Sequence, residues 1–119
     1  MKHLTLLLSL LTFILPAVEA QSVYTRMPED PEALYFTPEA FEIRADGKQD
    51  VSEALQLAIN KLKQEKNFGV LFIPEGKYLI SRTIYVPGAI RLIGYGNNRP
   101  EFILAKNSAG YQDEQNYMF

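Results

Sequence analysis

Asp46 and Asp50 are the first pair of side chains in this sequence whose type and spacing suit chemistry. Clustered carboxylate oxygens hold hard cations such as Ca2+. Each aspartate nevertheless has a local structural task. Asp46-Gly47 forms a turn, because glycine accepts positive φ. Asp50 stands where a helix N-cap belongs, with Glu53 three residues on as its capping-box partner. Those tasks account for both, and no metal or other cofactor is expected here. Glu75, in the Pro74-Glu75-Gly76 turn, has the chemistry of a general acid. Glycoside cleavage needs a second carboxylate across the bond, and no motif supplies one, so Glu75 reads as a turn residue. Arg82, Tyr85, Arg91 and Tyr95 are better candidates for contact with a ligand. They alternate with Ile84, Val86, Ile90 and Leu92 and should point outward if those point in. Arg forks pair carboxylates bidentately and Tyr rings offer flat faces, so the four suit a groove for a carboxylate-bearing chain. Gly94-Tyr95-Gly96 lacks the Lys-Ser/Thr and the helix of a phosphate loop and reads as a turn.

Composition narrows what these residues can do. The chain has 119 residues, no Cys, no Trp and one His, at position 3. Lys2 and His3 precede a twelve-residue run, Leu4 to Leu15, of apolar residues with Thr and Ser. Pro16 then breaks the helix, and Val18-Glu19-Ala20 presents small residues where a signal peptidase cuts. Residues 1–20 therefore read as an export leader, cleaved before Gln21, and the expected location is secreted or periplasmic. Such a run is too short to span a bilayer, which needs about 20 residues, so no membrane association is expected after cleavage. What remains has 99 residues, 11 basic and 13 acidic side chains, no thiol and no histidine. The balance of charge gives no support to nucleic-acid binding, which calls for a basic patch. Without disulfides, stability must come from burial alone.

The elements that position the candidates can be read in order. Residues 21–41 carry Pro28, Pro31 and Pro38 and read as an extended arm, with Tyr24, Tyr35 and Phe36 to anchor it. Phe41-Glu42-Ile43 alternates like a short strand, closed by the turn at Arg44-Ala45-Asp46-Gly47. From Val51 the apolar residues fall at 51, 55, 58 and 62 beside Ala54 and Ile59, a 3.6-residue stripe. Lys61, Lys63 and Lys66 gather at its far end, where positive charge suits the helix dipole. Asn67 and Gly69 stop it. Gly69 to Ile73 is then a continuous apolar run, as expected of a strand covered on both faces. The helix should cover one face and the strands after it the other. Further short runs follow at Tyr78–Ile80, Thr83–Val86, Ile90–Ile93 and Phe102–Leu104, divided by Gly, Pro or Asn. The runs from Val70 and Ile90 match at an offset of twenty, and Ile84 falls twenty before Leu104. A strand repeat near that period is the mark of a β-solenoid, whose open end needs a cover with a polar outer side. The helix fits that role.

These residues carry a resemblance. Ala45-Asp46-Gly47-x-x-Asp50, then Ala54-Leu55-Gln56-x-Ala58-Ile59, then Gly69-Val70-x-Phe72-Ile73-Pro74-x-Gly76-x-Tyr78, resembles the opening of the pectate-lyase superfamily, in its rhamnogalacturonase/epimerase-like branch. The resemblance runs from about Phe41 to Lys106. It implies a mainly β fold, the start of a right-handed parallel β-helix capped by one amphipathic helix. The organisation it suggests is a leader at 1–20, a Pro-rich arm at 21–40, and a cap with first coils at 41–119. Asp46, Gly47, Asp50, Pro74 and Gly76 are then motif residues with structural tasks. Arg44-Ala45 stands where the family has Gly-Ala, and Asp50-Val51-Ser52 where it has Asp-Asp-Thr.

The resemblance also implies an activity, in a glycoside hydrolase or polysaccharide lyase, on a polysaccharide and specifically an acidic, uronate-containing one. The blocks that carry catalytic acids in polygalacturonase-type members (Asn-x-Asp, Asp-Asp, Gly-His-Gly, Arg-Ile-Lys) do not occur in this sequence. No catalytic residue is therefore carried over. The chain is expected to be an amino-terminal fragment, inactive alone, with any Ca2+ requirement belonging to the longer parent. The alternative is a non-catalytic, glycan-binding β-helix of the adhesin or tailspike kind.

Overall fold

A computed structural model describes residues 21–111 and Phe119. The leader read at residues 1–20 lies outside the described residues. Eight elements follow in chain order: β1 (Leu34–Tyr35), α1 (Pro38–Phe41), β2 (Asp46–Asp50), α2 (Ser52–Lys66), β3 (Gly69–Pro74), β4 (Lys77–Ile80), β5 (Ile90–Tyr95) and β6 (Glu101–Leu104). The strands form two parallel sheets, ordered β1-β3-β5 and β2-β4-β6. The chain thus passes from one sheet to the other and back, laying each strand beside the one a turn earlier. This is the arrangement of the start of a β-helix.

The periodic stripe becomes α2. Leu55, Ala58, Ile59 and Leu62 are buried on one side of it, together with Leu71 and Ile73 of β3, Tyr78 and Ile80 of β4, Ile84 and Ile90. Burying each such aliphatic or aromatic side chain contributes about 1.5–3 kcal/mol, and this cluster is what holds the helix onto the sheets. Asn67 ends α2 in the left-handed region at φ 62°, with its N–H on the Lys63 carbonyl. The Lys63 ammonium donates to the carbonyls of Asn67 and Gly88, both at 3.1 Å. The helix begins one residue later than expected. Val51 is the N-cap and has no side-chain oxygen to offer, so Asp50 lies just outside it and Glu53 falls at the second helical position, not the third that a capping box requires.

Beside α2 runs the segment 81–89, which joins β4 to β5 as α2 joins β2 to β3. Thr83–Val86 was expected to be a strand and is not one, although Ile84 is buried. Its neighbour is a helix, which has no free backbone ladder to offer. The Gln56 side chain supplies the missing pair instead. Its Oε1 accepts from the Tyr85 N–H at 2.8 Å, and its Nε2 donates to the Tyr85 carbonyl at 3.0 Å.

Register differs from the expected repeat. β3 pairs with β5 from Gly69↔Ile90 to Pro74↔Tyr95, an offset of 21, and β4 pairs with β6 from Lys77↔Glu101 to Ile80↔Leu104, an offset of 24. Leu104 therefore stacks on Ile80, not on Ile84. A one-residue slip exchanges the two faces of a strand. At an offset of twenty, Arg91 would have stood over buried Leu71; at 21 it stands over half-buried Val70, and Leu92 takes the place over Leu71.

The outer face of β3 is covered as well, but by the arm. Phe72 is buried outside the main core, stacked on Tyr35 (centroids 5.5 Å) and met edge-on by Tyr24 (6.3 Å) and Tyr95 (6.4 Å). The helix therefore covers one face of β3, as expected, while the arm takes the other in place of the later strands. The arm is tied down by the Gly96 N–H on the Tyr24 carbonyl at 2.8 Å and by Ser22 Oγ on the Gly94 carbonyl at 3.2 Å. Its prolines do not exclude regular structure altogether. β1 is a proline-free edge pair on β3, and Pro38 sits at the start of α1, where its missing N–H costs nothing. Phe41 ends that helix and Glu42 turns left-handed at φ 51°, which replaces the short strand expected at Phe41–Ile43.

Candidate functional site

The motif residues assemble at one corner of the fold. Asp46 Oδ1 accepts the N–H groups of Lys48 (2.9 Å) and Gln49 (3.3 Å). Gly47, expected in a turn, instead stands at φ 74° inside β2, whose register against β4 shifts between Asp46 and Asp50. The Lys48 bond is the main influence holding the Asp46 carboxyl below its usual range; slight desolvation opposes it, and Gln49 and Arg44 assist. This corner lies against the next one. The Lys77 N–H donates to the Ala45 carbonyl at 3.0 Å. Gly76, at φ 154°, leaves no room for a side chain, since a Cβ there would stand 2.7 Å from the Ala45 Cβ. Pro74 ends β3, and its carbonyl accepts the buried Tyr78 hydroxyl at 2.7 Å. Burial raises the pKa of that phenol far above its ordinary value.

Asp50 serves a second junction. Its Oδ1 accepts from the backbone N–H (2.9 Å) and hydroxyl (2.5 Å) of buried Ser52. Its Oδ2 accepts from the Ser81 hydroxyl, and the Ser81 N–H donates to Ser52 Oγ at 2.9 Å. Partial desolvation pushes the Asp50 carboxyl up, but the bonds from Ser52 and Ser81, with Arg82 nearby, outweigh it and the net direction is down. The start of α2 is thus fastened to the end of β4. Glu75 has a comparable task, as its Oε2 accepts the Asn98 N–H at 2.8 Å and fixes the turn after β5. Among the described residues, no group of three or more His, Cys, Asp or Glu side chains is placed to hold a metal ion. Nor is any helix of those residues long and apolar enough to cross a membrane.

The four outward candidates do not share one groove. Arg82 and Tyr85 line a cleft of about 360 Å3 with Thr83, Ala109, Gly110 and Tyr111. Tyr85 is 73% exposed there, on backbone clamped by Gln56, and the Thr83 and Tyr111 hydroxyls lie 2.6 Å apart. Among the described residues, no carboxylate lines this cleft. Arg91 is exposed in a separate cleft beside the arm. Tyr95 is a correction. It points away from the core, as alternation requires, yet it is only 9% exposed because Tyr24 and Phe72 close around it. Desolvation, with Tyr35 and Glu39 nearby, raises its pKa. Gly94 and Tyr95 belong to β5, and the turn expected there begins only at Gly96. Tyr111, Gln56 and Phe68 were not foreseen as site residues. Tyr111 reaches Thr83 across 28 residues, a contact that no local pattern announces.

Residues 39–118 match the family described as rhamnogalacturonase A/epimerase, pectate lyase-like. The chain belongs to this family. Family membership makes it a protein of the polysaccharide-active β-helix kind. Comparisons with curated proteins and with solved structures gave no match. Within the family span, Ala45, Gly47 and Gly76 meet at the stacked corners, and Gln56 makes the clamp on Tyr85.

Proposed function

We propose that this chain forms the first coils of an exported, right-handed parallel β-helix that binds an acidic polysaccharide through the Arg82–Tyr85 cleft. The family match, over strands stacked in parallel register beside α2, supports a polysaccharide-active β-helix. The observation that carries the choice of ligand is the cleft itself, a guanidinium and an exposed phenol ring with no carboxylate among its described lining residues. Arg82 pairs a uronate carboxylate by charge-assisted hydrogen bonds, and Tyr85 lies under the sugar ring. The leader-like composition of residues 1–20 supports export. The catalytic acids of a hydrolase or lyase reside elsewhere on the β-helix.

A second reading, a non-catalytic glycan-binding module, is favoured by one observation. Asp46, Asp50 and Glu75 all spend carboxylate oxygens on backbone N–H groups of their own fold. Calorimetric titration with tetragalacturonate tests the binding site: Arg82→Ala should weaken affinity at least ~10-fold, the loss of one charge-assisted pair. Equal affinity for both proteins would remove Arg82 from the site. Incubation of the whole parent protein with polygalacturonate separates the two readings: new reducing ends or unsaturated uronate products support the first, and their absence supports the non-catalytic one.

A further inference from the structure

A second cleft, of about 380 Å3, lies where the end of α2 meets the arm and shares no residue with the Arg82 cleft. Its size falls in the ~300–1,000 Å3 range usual for small-molecule sites. Phe68 and Val70 line it at the start of β3, Ala89 and Arg91 at the start of β5, and Asp30 and Glu32 from the arm. Phe68 is 59% exposed, so its ring face is open to a ligand in the cleft. The backbone on which it stands is fixed on both sides, by Asn67 at φ 62° bonded to Lys63 and by the Gly69 N–H on the Ala89 carbonyl at 3.0 Å. Arg91 is exposed and has no ion pair or side-chain hydrogen bond among the described residues.

The charges here balance. Lys66 pairs with Glu32, and Arg91 is offset by Asp30 within the same lining. An anionic sugar therefore gains nothing from the net field. A neutral pyranose gains from each part. Its apolar C–H face is attracted to the negative face of the Phe68 ring, and its hydroxyls accept from Arg91 and donate to Asp30. We propose that this cleft binds a neutral pyranose residue, with Phe68 as its platform and Arg91 and Asp30 on its hydroxyls. The proposal rests on the reading of the chain as a polysaccharide-active protein, but on a different cleft.

The test uses two probes, tetragalacturonate and the tetrasaccharide obtained by reducing its carboxylates to alcohols, each titrated into the wild-type chain, Phe68→Ala and Arg82→Ala. The neutral probe should bind wild type and lose ~10-fold in affinity with Phe68→Ala, as expected for loss of one stacked aromatic. The same variant should bind tetragalacturonate unchanged, and Arg82→Ala should show the converse. Failure of the neutral probe to bind wild type, or equal binding to Phe68→Ala, overturns the proposal. Failure of tetragalacturonate alone overturns only the Arg82 reading. Should Phe68→Ala lose its fold, Phe68→Tyr against Phe68→Leu decides: tyrosine keeps the platform and the affinity, and equal affinity for leucine refutes it.

Discussion

Replacing Gln56 by Ala removes both bonds that hold the backbone of Tyr85 and leaves its N–H and carbonyl without a protein partner. A neutral hydrogen bond contributes about 0.5–1.5 kcal/mol net. Both bonds are exposed, so water recovers part of the loss and the low end applies, about 1–1.5 kcal/mol for the two. Alanine is the better helix former by a few tenths of a kcal/mol, which leaves a net destabilisation of about 1 kcal/mol. For a domain of this size that lowers Tm by about 4–8 °C. The amide of Tyr85 should report the change more sharply than the global melt. It is protected only by Gln56, so its hydrogen exchange should accelerate in Gln56→Ala while the amides of β3 and β5 keep their protection. Gln56→Glu separates the two bonds, because it retains an acceptor for the N–H but sets an oxygen against the Tyr85 carbonyl. It should destabilise at least as much as alanine. If the Tyr85 amide exchanges at the same rate in all three proteins, the side-chain clamp is not what orders residues 83–86.

Gly76→Ala should destabilise by about 1–3 kcal/mol, the usual cost of overpacking, because its Cβ meets that of Ala45 at 2.7 Å; urea titration of Ala45→Gly/Gly76→Ala should recover part of the loss. Asp50 has a folded pKa below its ordinary value, so its contribution to stability is present above the unfolded value of about 3.9 and is lost as pH falls through the folded one. Asp50→Asn should therefore be less stable than wild type at neutral pH and show a flatter Tm profile on acidification below about pH 4; parallel profiles would show that the Ser52–Ser81 junction does not depend on the charge.

How much of this was legible in the sequence follows from the range of each interaction. α2 was readable almost to the residue, since its stripe, its lysines and its stop at Asn67 are all properties of neighbours within one or two turns. The strand runs at Gly69–Ile73, Tyr78–Ile80, Ile90–Ile93 and Phe102–Leu104 were readable for the same reason. But β2 at Asp46–Asp50 was hidden behind turn and cap residues, and the apolar spacing at Thr83–Val86 did not make a strand. The register of the runs was not readable, because a parallel strand finds its partner 21 or 24 residues away, and nothing in either run distinguishes one offset from the next. The corners make that choice. Gly76 admits Ala45, and Gly94 admits Pro100, whose Cδ would lie 2.5 Å from any added Cβ. Tyr95 shows the same division. Alternation correctly turned it outward, but whether outward meant water depended on an arm that begins more than 70 residues earlier. A sheet sequence states which side chains face together. Which surface then remains open to a ligand is decided by segments that carry no periodic signal, and so the Phe68 and Arg82 clefts become visible only once the arm and residues 109–111 are in place.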